Sequence, residues 1–126
     1  MSNPRNIVVV DDDAEMNQAI QRLLNAAGFR AITFHSAEAL LEAGAAATAE
    51  CLILDVHLPG LSGFELRRKL LNQGGAKPPV IFITAYDHPD SEALALDSGA
   101  IAYFRKPFCG QSLLTAISKA LESSAI

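Results

Sequence analysis

Ile7-Val8-Val9-Val10-Asp11-Asp12-Asp13 is the stretch whose reading decides the fold. Four β-branched residues in a row show no alternation, so they suit a strand buried on both faces. Three carboxylates then stand at its carboxyl end. The chain repeats the apolar part of this pattern at Ala31-Ile32-Thr33-Phe34, Cys51-Leu52-Ile53-Leu54, Val80-Ile81-Phe82-Ile83 and Ile101-Ala102-Tyr103-Phe104. Helical spacing fills the intervals. Met16, Ile20, Leu23, Leu24 and Ala27 lie at helical spacing, and Gly28 stops that helix. Ser36 is a good N-cap for a second helix carrying Leu40 and Leu41 and ending near Gly44. Ser62-Gly63-Phe64-Glu65 is a capping box for the third, with Leu61 and Leu66 placed as a hydrophobic staple. The fourth, of weak pattern, runs from about Pro89 to Gly99, and the last carries Leu113, Leu114, Ile117 and Leu121 on one stripe.

Strand and helix alternating five times predict an α/β chain of (βα)5 form. Right-handed crossovers with helices on both faces make it a doubly wound parallel sheet, and the strand order 2-1-3-4-5 is the expected arrangement. The chain of 126 residues is read as one domain with its core over about residues 6–121. Half the residues are hydrophobic and 19% are charged, which is a globular composition and not a disordered one. A net charge of −4 argues against direct nucleic-acid binding, which needs clustered Lys and Arg. No apolar run approaches a membrane span, and the four apolar residues after Asn6 are too few for a signal-peptide core. Cys51 and Cys109 form neither a CxxC pair nor a disulfide framework. A cytoplasmic protein is the expectation.

Ligands of open α/β sheets bind beyond the carboxyl ends of the strands, where strand order reverses. Asp11, Asp12 and Asp13 follow the first strand, Asp55 the third, Thr84 the fourth, and Lys106-Pro107 the fifth. The first and third strands are neighbours in the 2-1-3 order, so Asp11, Asp12 and Asp55 should converge. An oxygen-only carboxylate cluster suits Mg²⁺ and suits zinc poorly.

Together, Ile7 through Asp13, Leu52-Ile53-Leu54-Asp55-Val56-His57-Leu58-Pro59-Gly60-Leu61-Ser62-Gly63, Ile83-Thr84-Ala85 and Lys106-Pro107-Phe108 resemble a two-component response regulator receiver domain of the CheY-like, flavodoxin-like fold. The resemblance extends from about Asn6 to Leu121. With Gly99-Ala100 and Lys106-Pro107-Phe108, it leans toward receivers of nitrogen-fixation-type transcription regulators. It implies that Asp55 is the phosphoacceptor, taking a phosphoryl group from a sensor histidine kinase. It implies Mg²⁺ held by Asp12, by Asp11 directly or through water, by Asp55 and by the main-chain carbonyl of His57. Lys106 would pair with Asp55 and the phosphoryl oxygens, and Thr84 would hydrogen-bond the phosphoryl group. Thr84 and Tyr103 would form the switch, changing the face built from the fourth helix, fifth strand and fifth helix. That face would control a fused or separate output domain, or a homodimer. The family's Lys-Pro bond is cis, which would aim Lys106 into the site.

Each residue alone has a plainer reading. Asp13 is better taken as the N-cap of the first helix, and Thr84 or Lys106 in isolation would be a strand-end hydroxyl and a solvated lysine. His35, His57 and His88 lack metal-ligand spacing and are read as non-catalytic. Arg67-Arg68-Lys69 is read as a solvated helix face, and Cys51 as a small hydrophobe. Cys109 stands where the family places a capping Asp, Ser or Thr, so that cap should be weak. His57 and Tyr86, two residues beyond Asp55 and Thr84, are bulky and should alter acyl-phosphate lifetime. Two other functions are weighed against the switch. A Mg²⁺-dependent phosphohydrolase of the haloacid-dehalogenase type would need a second Asp at position 57, where His57 stands. A pseudo-receiver acting only as a binding module would have lost Asp12, Asp55 or Lys106, and all three are present.

Overall fold

The structure is a computed structural model and describes residues 4–73, 77–85 and 89–124. Five parallel strands, β1 (Asn6–Val10), β2 (Arg30–Phe34), β3 (Cys51–Asp55), β4 (Val80–Thr84) and β5 (Ala102–Arg105), form one sheet in the order β2-β1-β3-β4-β5. Five helices alternate with them: α1 (Ala14–Ala26), α2 (Ala37–Ala43), α3 (Gly63–Asn72), α4 (Pro89–Asp97) and α5 (Gly110–Ser124). The expected order holds, with two small shifts. The fifth strand starts one residue later than its apolar run, leaving Ile101 exposed, and Ala27 caps α1 from an exposed position.

The unbroken apolar runs are explained by two cores, one on each face of the sheet. Ile7, Val9, Cys51, Ile53, Ile81 and Ile83 pack under α1 and α5, against Ile20, Leu24, Leu113 and Ile117. The intervening residues Val8, Val10, Leu52, Leu54, Val80 and Phe82 pack on the other face with Leu40, Leu66 and Ala95 from α2, α3 and α4. A strand covered on both faces has no polar side, so period-2 alternation vanishes. The edge strands β2 and β5 are only half-buried.

Helix starts follow their caps. Asp13 accepts from the amides of Glu15 and Met16, Ser36 from that of Ala39, and Ser62 and Glu65 complete the reciprocal capping box. Before α5, the Ser112 amide donates to the Cys109 carbonyl at 3.1 Å, and hydrogen bonding from the amides of Ser112 and Gln111 holds the Cys109 thiol below the usual range. Tyr86 and His88 lie outside the described residues. No helix among those described is long and apolar enough to cross a membrane.

Candidate functional site

Pairing continues past the ends of the strands, and this is what gathers the site. The Asp11 amide donates to Phe34 at 3.1 Å, the Val56 amide to Ile83 at 2.9 Å, and the Lys106 amide to Thr84 at 2.7 Å. Asp11, Asp55, Thr84 and Lys106 therefore sit together at the carboxyl end of the sheet. Carboxylate oxygens of Asp11, Asp12 and Asp55 lie within 4.8 Å of one another. Asp11 and Thr84 are fully buried and Asp55 nearly so, while Asp12 is exposed. Asp12, Asp55, His57, Pro59, Ala85 and Lys106 are among the residues lining an open cleft of about 490 Å³.

Lys106 reaches the cluster from just beyond the end of β5. Its Nζ lies 2.6 Å from Asp11 Oδ2 and 3.2 Å from Asp55 Oδ2, and the Lys106-Pro107 bond is cis. The tighter contact is to Asp11, a pairing the sequence reading did not anticipate. The other Asp11 oxygen accepts from the Asp13 amide at 2.9 Å, and Asp55 Oδ1 accepts from the His57 amide at 3.0 Å. Burial and the charge of Asp11 push Asp55 up to about 6, against the opposing pull of the His57 amide and Lys106. For Lys106, burial opposes the charge, but the hydrogen bond to Asp11 and the two carboxylate charges outweigh it and hold the ammonium above its usual range.

One lysine does not neutralise three carboxylates held this close, and the donors are all oxygen. Of the three clustered carboxylates, Asp12 and Asp55 line the cleft, beside Asp13, which caps α1. This set fits a hard divalent cation such as Mg²⁺, which takes one or two carboxylates and keeps several waters.

Two residues to which the sequence reading gave no role in the site hold its frame. Asn17, buried on α1, donates through Nδ2 to the carbonyls of Asp11 at 2.8 Å and Phe34 at 3.2 Å, fastening the ends of β1 and β2. It was legible as a polar residue on the same stripe as Ile20 and Leu24. Gly63 lets α3 start against Asp55 itself: a Cβ there would lie 2.3 Å from the Asp55 carbonyl oxygen. Tyr103 is half-buried on β5, in register with Phe82, while Thr84 pairs with Arg105. Parallel register puts Tyr103, Phe82 and Thr84 on the same face of the sheet. His35 and His57 are exposed and outside the carboxylate cluster.

Comparison with known proteins agrees with this geometry. Residues 7–118 match the response regulator receiver domain. The chain is 36% identical over 119 residues to the transcriptional regulatory protein TdiR of Thauera aromatica, covering 94% of this chain and 52% of TdiR. It is 32% identical over 124 residues to the transcriptional regulatory protein FixJ of Bradyrhizobium diazoefficiens, covering 98% of this chain and 60% of FixJ. A response regulator receiver protein from Burkholderia phymatum superposes with a TM-score of 0.81 at 41% identity, over 94% of this chain and 95% of that one. The chain thus spans between half and two-thirds of the length of these curated relatives.

Proposed function

We propose that this chain, which belongs to the response regulator receiver domain family, is a phosphorylation-operated switch with Asp55 as its phosphoacceptor. The observation that carries this reading is the convergence of Asp11, Asp12, Asp55 and Lys106 at the carboxyl end of the sheet, with Asp55 open to a cleft. A sensor histidine kinase is the proposed donor. A carboxylate oxygen of Asp55 forms a bond to phosphorus as the phosphorus–nitrogen bond of phosphohistidine breaks, and the electron pair leaves on the imidazole nitrogen.

The chain's own residues divide the work. Asp12, Asp11, Asp55 and the His57 carbonyl would hold Mg²⁺, which when bound supplies positive charge to the transferring phosphoryl oxygens. Lys106 brings a fixed ammonium to the same oxygens, so charge developing in the transition state meets a partner already in place. Its bond to Asp11 keeps that ammonium aimed while Asp55 reacts. The Thr84 hydroxyl is the proposed hydrogen-bond donor to the arriving phosphoryl group. Drawing Thr84 inward opens space on the face it shares with Tyr103, and rotation of that ring would alter the surface formed by α4, β5 and α5.

In this reading residues 1–126 form a single receiver domain that turns over no metabolite and catalyses only its own phosphorylation and dephosphorylation. The altered surface would control a fused or separate output domain, in the manner of the transcription regulators it resembles, or pair with a second copy. Cytoplasmic location follows from the kinase partner. Intact-mass spectrometry after incubation with acetyl phosphate and Mg²⁺ tests the assignment. One added phosphoryl group, absent in Asp55→Asn and without Mg²⁺, is expected; undiminished labelling of Asp55→Asn overturns it.

A further inference from the structure

The loop between β3 and α3 forms one wall of the cleft, contributing Val56, His57, Leu58, Pro59 and Ser62. Its last amides are satisfied one by one. Gly63 donates to the Val56 carbonyl at 3.0 Å and Ser62 to Glu65 Oε1 at 3.0 Å, both within the loop and the helix it enters. The Leu61 amide is different. It donates at 3.0 Å to Oε2 of Glu38, 23 residues earlier on α2.

We infer that Glu38, which lies outside the carboxylate cleft, is a positioning residue that fastens the β3–α3 loop and so fixes the Asp55–His57 wall for the divalent cation. Two further observations support the contact. Gly60 has φ +76, a backbone conformation that favours glycine, and the Glu38 carboxylate lies against it, 2.5 Å from where a Cβ would stand. The start of α2 is also rigid, with Ser36 capping it and Ala37 and Leu40 fully buried. The hydrogen bond therefore ties the loop to a body fixed on the sheet. The Leu61 amide also lowers the Glu38 carboxyl below its ordinary value, as a bond to the charged form must.

The inference rests on reading the cleft as a Mg²⁺ site, and its consequence is reciprocal. If the fastened loop favours the cation, then the cation must favour the fastened loop. The test uses the full chain as wild type, Glu38→Ala, Glu38→Gln and Asp12→Ala, followed by amide nuclear magnetic resonance during Mg²⁺ titration. Leu61 amide hydrogen exchange is measured with and without saturating Mg²⁺. Residues that orient metal ligands change affinity by about 10- to 100-fold, so a tether one step further out should cost roughly three- to tenfold in Glu38→Ala. Glu38→Gln keeps a weaker oxygen acceptor and should stay within about twofold of wild type. In wild type, Mg²⁺ should slow exchange at Leu61 and leave equally fast-exchanging amides remote from the cleft unchanged, which separates coupling at the tether from overall stabilisation by the cation. Glu38→Ala binding Mg²⁺ as tightly as wild type, or Leu61 exchange indifferent to bound Mg²⁺, overturns the inference alone. Wild type and Asp12→Ala alike showing no Mg²⁺ response overturns the cleft reading, and the inference with it.

Discussion

In metal-free protein, Asp55 should make stability fall as pH rises toward neutrality. Its carboxyl is pushed from an ordinary 3.8 to about 6, first by burial and then by the charge of Asp11. The folded state therefore binds the proton more tightly than the unfolded chain, so stability declines with pH wherever Asp55 is protonated in one state and ionised in the other. The decline begins above 3.8 and levels off above about 6. At 1.36 kcal/mol per pH unit the whole effect is about 3 kcal/mol. Roughly half of it falls between about pH 5 and pH 7.5, which corresponds to a drop of roughly 5 °C in melting temperature. Asp55→Asn keeps an oxygen to accept the His57 amide, removes one of the crowded charges, and leaves Lys106 its closer bond to Asp11. The variant should lose this slope and be the more stable protein at pH 7.5, by up to about 3 kcal/mol. The carboxyls of Glu38, Glu50 and Glu65 are lowered, so their contributions are lost at the acid end instead and cancel in the comparison. Thermal melts by circular dichroism in EDTA between about pH 5 and 7.5 provide the measurement. Parallel profiles for wild type and Asp55→Asn would refute the argument.

Mg²⁺ at about 100 times its dissociation constant should stabilise wild type by about 2.7 kcal/mol beyond a matched NaCl control. Asp12→Ala should lose that gain and melt higher than wild type in EDTA; a thermal shift retained in Asp12→Ala would contradict the site. Beryllofluoride, a phosphoryl mimic, should move amide resonances from the Asp55 pocket out to Tyr103 and the segment from about Pro89 to Phe104, and Thr84→Ala should confine them to the pocket. Unmoved Tyr103 resonances in wild type would rule out this route. Gly63→Ala would drive a Cβ into the Asp55 carbonyl oxygen and should cost roughly 1–3 kcal/mol in urea denaturation, as overpacking does. Unchanged stability would mean that α3 can slide away from β3.

Fold and sequence agree most closely where burial leaves no choice. The runs Ile7–Val10, Cys51–Leu54 and Val80–Ile83 are readable as strands because both faces are covered, which forces continuous apolarity over a length too short for a helix. Helix α3 is readable because its capping box is complete. Helix α4 is the opposite case. Ala95 is buried while Leu94 and Leu96 are exposed, so its apolar residues do not mark its inner face. Its span is legible only from punctuation, Pro89 at its start and Gly99 beyond its end. Helix periodicity reports burial, and a helix with its leucines outward carries little of it.

For the site, the legible part is what strand order alone delivers. Once β1 and β3 are neighbours, Asp11, Asp12 and Asp55 must meet, and Lys106 after β5 stands at the same end of the sheet. Which carboxylate the lysine prefers is not a matter of order. It depends on how deeply each is buried and what else each oxygen accepts. Asp11 is the more enclosed and holds Lys106 at 2.6 Å, leaving Asp55 at 3.2 Å with its charge less fully met. That asymmetry suits the proposed chemistry. A nucleophile gripped at short range would lose part of the electron density it must donate, whereas Asp11 can anchor the ammonium without reacting. The Glu38 tether escaped reading for a related reason: Glu38 and Leu61 are joined only by how α2 and the β3–α3 loop pack. Sequence order brings the reacting groups together, while their relative strengths come from packing contacts with no local signature.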